Sequence, residues 1–448
     1  MFRRMILSIA LVAILAMSQI GAAQATPVAP SLGKCTEETI ELGNGFQTIY
    51  LVCMPLLVPW NHQLVVFAHG YVPNLSATPI LPKDQLDAIG GVNLADTINR
   101  MGYAFAMTSY PVNGLAILPG VQDVVDLVQY FKAGHPGTTH VFLTGASEGG
   151  LVTTLALERN PAVFKGGFAV CGPIGSWQNQ VNHFGDFRVL FDYFYPGVMP
   201  VSGADPLHPQ PGDFSAINIP NDLPLSWDQG PLSYPVKIGM AIQSNPGAAK
   251  ELYKVAKVPV DPLVPASSAV QLLWYNAFAT MDARAKLSLG SPVLLNPYDN
   301  NRWYFGSSND MALNTGVPRF TRTVPTMVMK QYDTTGKLSA PLVTMHTTGD
   351  PIVPYSHEML YTLKTLQNGT FFKRLNIPVS RYGHCEFTAK EVVFGFAMMI
   401  YKATGRLPLT MVSVLADGGD TVTLSEQEFR QMEKEYSPKN IYIPMVGN

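Results

Sequence analysis

The stretch His140-Val141-Phe142-Leu143-Thr144 is followed at once by Gly145-Ala146-Ser147-Glu148-Gly149-Gly150, and then by Leu151-Val152-Thr153-Thr154-Leu155-Ala156-Leu157-Glu158. An unbroken apolar run, a glycine-flanked serine and a helical pattern read as strand, sharp turn and helix. In that setting G-x-S-x-G is the pattern of a nucleophile elbow. The turn lifts the Ser147 hydroxyl above the sheet edge. Gly145 and Gly149 leave room for the turn and for the neighbouring chain. The helix that follows turns its N-terminal amides and positive dipole end toward any charge that develops at the serine. Without strand and helix the motif is weak, and the competing reading is an ordinary glycine-rich turn.

Further apolar runs lie on both sides of this segment. Residues 64–69 and 103–108 precede it, 166–171 follow it, and 341–345 and 371–379 come later. The first four lack the alternation of a half-exposed strand, as expected of strands buried on both faces of a parallel sheet. Helical patterns fall between them, around Val121–Phe131, from Leu151 and near His357–Leu366. The alternation predicts an α/β protein with a mostly parallel central sheet and right-handed crossovers. Residues from about 174 to 335 break the rhythm. They are rich in Pro, Asn and Trp, with turn signals at Pro209–Gly212 and Asn296–Asn301 and helices expected around 246–256 and 267–288. Beyond 405, Asp417–Asp420 reads as a turn and Ser425–Glu428 as a capping box opening a short helix.

Composition narrows the class. The chain has 448 residues, 47% hydrophobic and 14% charged, with a formal net charge of −2. That excludes disorder and supplies no basic footprint for nucleic acid. Arg3 and Arg4, the apolar run Met5–Met17 and Ala23-Gln24-Ala25 form the three regions of a secretory signal peptide, expected over residues 1–25. The apolar run is short of the roughly 18 residues of a spanning helix. The expected location is secreted or periplasmic, with no stable membrane insertion after cleavage. Four cysteines, Cys35, Cys53, Cys171 and Cys385, with no C-x-x-C pair, favour disulfides over a metal site. Cys35 and Cys53 flank a hairpin-like stretch and are expected to pair, which leaves Cys171 with Cys385. Four cysteines allow three connectivities.

With the serine turn in place, the sequence resembles the α/β-hydrolase superfamily over residues 45–173 and 336–405. That resemblance implies an α/β-hydrolase fold with a large cap insertion. The expected division is residues 1–25 signal peptide, 26–173 first half of the core, 174–335 cap or lid, 336–405 second half of the core, and 406–448 C-terminal extension. It also implies a triad in the order serine, acid, histidine. Asp350, in Thr347-Thr348-Gly349-Asp350-Pro351-Ile352-Val353-Pro354, matches the acid loop, and His384, in Tyr382-Gly383-His384-Cys385, matches the histidine loop. His69-Gly70-Tyr71 resembles the oxyanion loop, so the backbone N–H groups of Tyr71 and Glu148 are the implied oxyanion donors, with His69 structural. His384-Cys385 is similar to the tannase and feruloyl-esterase group, in which a cysteine beside the histidine bonds one beside the serine. Ala146 and Glu148 flank Ser147 here, so Cys171 is the implied substitute partner for Cys385.

The implied activity is that of a serine esterase, lipase-like, acting on a small-molecule, lipid or polymer ester without a cofactor or metal. Two readings compete with it. Gly149-Gly150 also occurs in prolyl-oligopeptidase-like peptidases, although no propeller-length region precedes the hydrolase pattern. A hydrolase scaffold can also serve as a non-catalytic binding protein. His346 and His357 bracket the acid on the wrong side to serve as base. Asp299 and Asp310 read as turn residues rather than Ca²⁺ ligands. Trp274, Tyr275, Trp303, Tyr304 and Phe305 read first as the buried core of the insertion and second as a substrate groove.

Overall fold

The computed structural model describes residues 33–42, 45–87, 93–200, 216–217, 219, 223–288, 290, 294–408, 414–415, 421–422 and 424–436. The expected signal segment and the turns at 209–212 and 417–420 lie outside the described residues. Pro30–Ser176 with Tyr332–Asn448 forms one compact unit, and Trp177–Gln331 belongs to a second.

The first unit is built on eight strands: β1 Gly33–Glu41, β2 Gln47–Pro55, β3 Gln63–Ala68, β4 Ala104–Thr108, β5 His140–Ala146, β6 Gly166–Val170, β7 Leu342–Gly349 and β8 Arg374–Tyr382. They form one sheet in the order β1-β2-β4-β3-β5-β6-β7-β8. β2 runs antiparallel to both neighbours, and every other pairing is parallel. Burial explains the apolar runs. All of β4 and β6 is buried, as is everything but the first residue of β3 and of β5. The edges differ. β1 is exposed over most of its length, and β8 alternates and carries Pro378, an imino acid that an edge strand tolerates.

Each face of the sheet is covered by helices. On one face Val65, Phe67, Phe105, Met107, Phe142, Phe168, Val343 and Met345 share a core with the helices Leu94–Arg100 and Ala389–Thr404. The helices Ile117–Gly134 and Glu148–Arg159, outside that core, pack on each other and on β3–β6 from the other face. Helix ends follow local chemistry. Thr388 and Glu391 make a reciprocal capping box at the start of Ala389–Thr404, and Gly405 at φ +72° ends it. Ser425 and Glu428 do the same for Glu426–Glu435. Cys35 and Cys53 sit directly opposite in the β1–β2 register and are disulfide-bonded.

The second unit is helical. Trp177–Phe194 packs against Pro246–Ala256 and Ala266–Tyr275, and the latter runs through a π-turn at Asn276–Thr280 into Met281–Leu287. Phe187, Leu190, Phe191, Leu252, Leu272 and Leu273 form its interior. The irregular chain from 294 onward is stitched by buried asparagines: Asn296 donates to the carbonyls of Tyr298 and Thr321, Asn300 to Pro318, and Asn314 to Tyr304 and Asp310. Side-chain amides thus satisfy backbone groups of this irregular segment and brace the start of the helix Asp310–Gly316. Asp310 accepts from the amides of Gly306 and Ser307, and Asp299 from that of Asn301. The aromatic residues divide in a way the sequence reading did not anticipate. Tyr304 is buried, and Trp274 and Tyr275 are half-buried, but Trp303 is 47% and Phe305 67% exposed. These two are therefore not core residues. They flank the buried Tyr304, whose hydroxyl, like that of Tyr298, donates to Asp186, the partner of Arg302.

Candidate active site

Ser147 stands between β5 and the helix Glu148–Arg159 at φ +55°, ψ −120°. A non-glycine residue in such a region costs about 1–3 kcal/mol, so its surroundings must hold it there. They do so through glycines. A Cβ on Gly145 would strike the Gly149 carbonyl and the Thr153 hydroxyl, and one on Gly149 would strike the Ala68 carbonyl. One on Gly150 would come within 2.9 Å of the Val170 carbonyl. The Ser147 amide is tied to the Val170 carbonyl at 3.0 Å. The turn is thus wedged between the ends of β3 and β6.

Two later loops meet the serine. β7 ends at Gly349, and in the Asp350 loop the carboxylate Oδ1 accepts from the amides of Ile352 and Val353 at 2.8 and 2.9 Å. β8 ends at Tyr382 after a register shift against β7 between Thr347 and Gly349. Gly383, at φ +111°, then turns the chain, with its amide on the Gly349 carbonyl and its carbonyl on the Thr347 hydroxyl. His384 follows. Its Nδ1 is 2.7 Å from Asp350 Oδ2 and its Nε2 is 2.9 Å from Ser147 Oγ. The Asp350 side chain is wholly buried, and that of His384 is 13% exposed. Burial opposes ionisation of Asp350, but the charges and hydrogen bonds of His384 and His346 outweigh it and hold the carboxyl well below its ordinary range.

The loop after β3 also reaches this place. Gly70 lies against Ser147: a Cβ on it would be 3.4 Å from the serine Cβ. The Gly70 amide donates to Gln85 Oε1 at 2.7 Å, and Tyr71 follows Gly70 in the chain. Glu148 is the first residue of its helix, and its carboxylate accepts from the Ala116 amide at 2.8 Å. His69 is buried and stacked on Tyr110, with Nδ1 donating to the Gly70 carbonyl at 2.7 Å. Burial pushes its pKa down to about 4. It braces the loop as a neutral ring.

Cys171, at the end of β6, and Cys385, next to His384, are bonded to each other, both at positive φ. Cys385 Sγ lies 3.7 Å from His384 Nε2. Cys171, His384 and Cys385 each hold a metal-ligand type of atom within 4.8 Å of the others. Their donors are already committed, the sulfurs to each other and the ring nitrogens to Ser147 and Asp350.

Other members of the neighbourhood carry no motif. Gln85 and Tyr110 reach the loop after β3 from separate segments, and no sequence pattern marks either. His346 does have a signal, a histidine at the end of a buried strand four residues before the acid. It does not approach Ser147 but lies behind Asp350, with Nε2 3.4 Å from Oδ2. His357 points elsewhere, its Nδ1 accepting from the amides of Gly175 and Ser176.

No family model matches this sequence, and no curated protein matches it. Solved structures do. Acylaminoacyl peptidase from Pyrococcus horikoshii is 11% identical over 79% of this chain and 38% of its own, at a TM-score of 0.40. This chain therefore spans about two fifths of the peptidase's length. Brefeldin A esterase, described as a bacterial homologue of human hormone sensitive lipase, is 14% identical over 89% of this chain and 83% of its own, also at 0.40. Est1E from Butyrivibrio proteoclasticus is 11% identical over 83% and 99%, at 0.39. At such scores the fold is assigned on the chain's own topology. With eight strands in the order 1-2-4-3-5-6-7-8, only β2 reversed, and a strand–serine–helix turn after β5, the chain has the α/β-hydrolase fold.

Proposed function

We propose that the protein is an exported serine hydrolase that cleaves carboxylic esters through an acyl-enzyme. The observation that carries this reading is the position of His384, within hydrogen-bond reach of Ser147 Oγ on one nitrogen and Asp350 Oδ2 on the other. Ser147 attacks the ester carbonyl carbon as His384 Nε2 takes its proton. Asp350 keeps the proton on Nδ1 and stabilises the imidazolium. The amides of Tyr71 and Glu148 receive the oxyanion. His384 returns the proton to the departing alkoxide, then activates a water that releases the acid and regenerates Ser147. Every bond change falls on this chain's side chains, the ester and water.

Two disulfides, an N-terminal sequence of export type, and the finding that among the described residues no helix is long and apolar enough to cross a membrane support a secreted or periplasmic location. In this reading the expected insertion at residues 174–335 is a cap that limits which esters enter. Labelling with a fluorophosphonate probe tests the proposal. The adduct is expected on Ser147 and absent from Ser147→Ala. A folded wild-type protein that takes no label would overturn it.

A further inference from the structure

We infer that His346 is a positioning residue of this site, an imidazolium charged through the neutral range that shares the Asp350 carboxylate with His384 and offsets part of the negative field Asp350 presents to that ring. The inference rests on the triad reading above.

The charge follows from the partners of the ring. His346 is wholly buried on β7. Its Nε2 is 2.9 Å from the Val353 carbonyl, which can only accept, so Nε2 carries a hydrogen. Its Nδ1 is 3.3 Å from Glu358 Oε1. The other Glu358 oxygen accepts from the Thr344 hydroxyl at 2.7 Å and from the Arg374 guanidinium, so this carboxylate is ionised and also only accepts. Nδ1 therefore carries a hydrogen too, and a ring with both nitrogens protonated is a cation. Burial opposes that charge, but the hydrogen bonds and charges of Asp350 and Glu358 outweigh it and raise the His346 pKa to about 10.

The location gives the charge its consequence. Asp350 Oδ2 faces His384 Nδ1 at 2.7 Å and His346 Nε2 at 3.4 Å, while Oδ1 is filled by two amides. One carboxylate thus serves two rings. A fixed cation on its far side weakens the negative field that Asp350 presents to His384. The other groups facing His346 are Glu358 on the helix Ser356–Gln367, Arg374 on β8 through Glu358, and the Tyr355 ring, edge-on at 5.8 Å. Neighbouring β6, Gly166–Val170, carries no titratable residue, and Pro378 is the β8 residue in register with His346.

The test compares the pH dependence of kcat/KM on a p-nitrophenyl ester for wild type and His346→Gln. Glutamine keeps a donor for the Val353 carbonyl but has no charge. Loss of the cation should move the acid limb up by roughly one pH unit, because a unit charge acting over such a distance in a buried site is worth about that much. An unmoved limb, with activity lowered only in proportion to the folded fraction, would overturn the inference. Should the variant not fold, ¹⁵N-histidine NMR of the wild-type chain decides. One histidine should keep both ring nitrogens protonated at pH 9, and the absence of any such ring overturns the inference. Absence of fluorophosphonate labelling would instead strike the hydrolase reading, and the NMR signal would still judge the charge on His346.

Discussion

Cys385, the residue immediately after His384, is bonded to Cys171 at the end of β6, the strand whose last carbonyl also receives the Ser147 amide. The disulfide therefore joins the loop that carries the histidine to the strand against which the serine turn is wedged. Its closed loop spans 214 residues. Removing it with Cys171→Ala/Cys385→Ala should cost about 2–5 kcal/mol of stability, read by urea unfolding. It should also lower kcat by at least about tenfold with KM little changed, since misplacing a reacting group by about 1 Å costs up to two decades. Unaltered kcat in the folded double variant would show that His384 is held by its hydrogen bonds alone.

Gly149 has a sharper requirement than Gly145 or Gly150. A Cβ there meets the backbone of Ala68, which the β3–β5 ladder cannot move aside. Gly149→Ala is expected to destabilise by about 3 kcal/mol, the upper part of the range for overpacking, and to abolish fluorophosphonate labelling. A variant with wild-type stability would mean that the elbow is looser than described.

Asp350→Asn tests the acid. The amide can present a hydrogen to His384 Nδ1 and hold the ring in the wrong tautomer, so kcat should fall by about four decades. Retention of kcat within about tenfold of wild type would remove Asp350 from the proposed triad.

Stability should also depend on pH in a defined direction. The His346 pKa is raised from 6.5 to about 10, so its contribution is complete below 6.5 and is lost as pH rises toward 10. Asp350 and Glu358 are lowered from 3.8 and 4.5, so their contributions are present above those values and lost as pH falls below them. Stability from this cluster is therefore greatest between about pH 4.5 and 6.5. Urea midpoints of the wild type should decline between pH 7 and 10, and those of His346→Gln should not share that decline. Parallel curves would contradict the assignment.

Much of this architecture was legible because burial on both faces leaves a plain mark. Leu64–Ala68, Ala104–Thr108 and Gly166–Val170 read as strands since nothing in them needs water. Ser147 could be singled out because it sits between such a strand and a helix, Asp350 and His384 because their loops resemble those of the α/β-hydrolase superfamily, and the three side chains lie within hydrogen-bond reach of one another in the order Ser147–His384–Asp350. What could not be read depends on contacts made only after folding. Gln85 matters through one hydrogen bond to Gly70, and Tyr110 through a stack on His69. Trp303 and Phe305 were misjudged because apolar character does not say which side of an irregular segment faces in, and here it is Tyr304 between them that is buried. His346 was visible, but its role depends on Glu358 from the next helix and Arg374 from the next strand.

If Ser147 is the nucleophile of an esterase, hydrolysis of a p-nitrophenyl ester chain-length series must depend on it, and wild type is compared with Ser147→Ala. Turnover with a defined acyl-length preference is expected in the wild type, and in the variant a loss of several decades at every length. Equal rates for the two proteins, or no turnover of any ester by folded wild type, would contradict it.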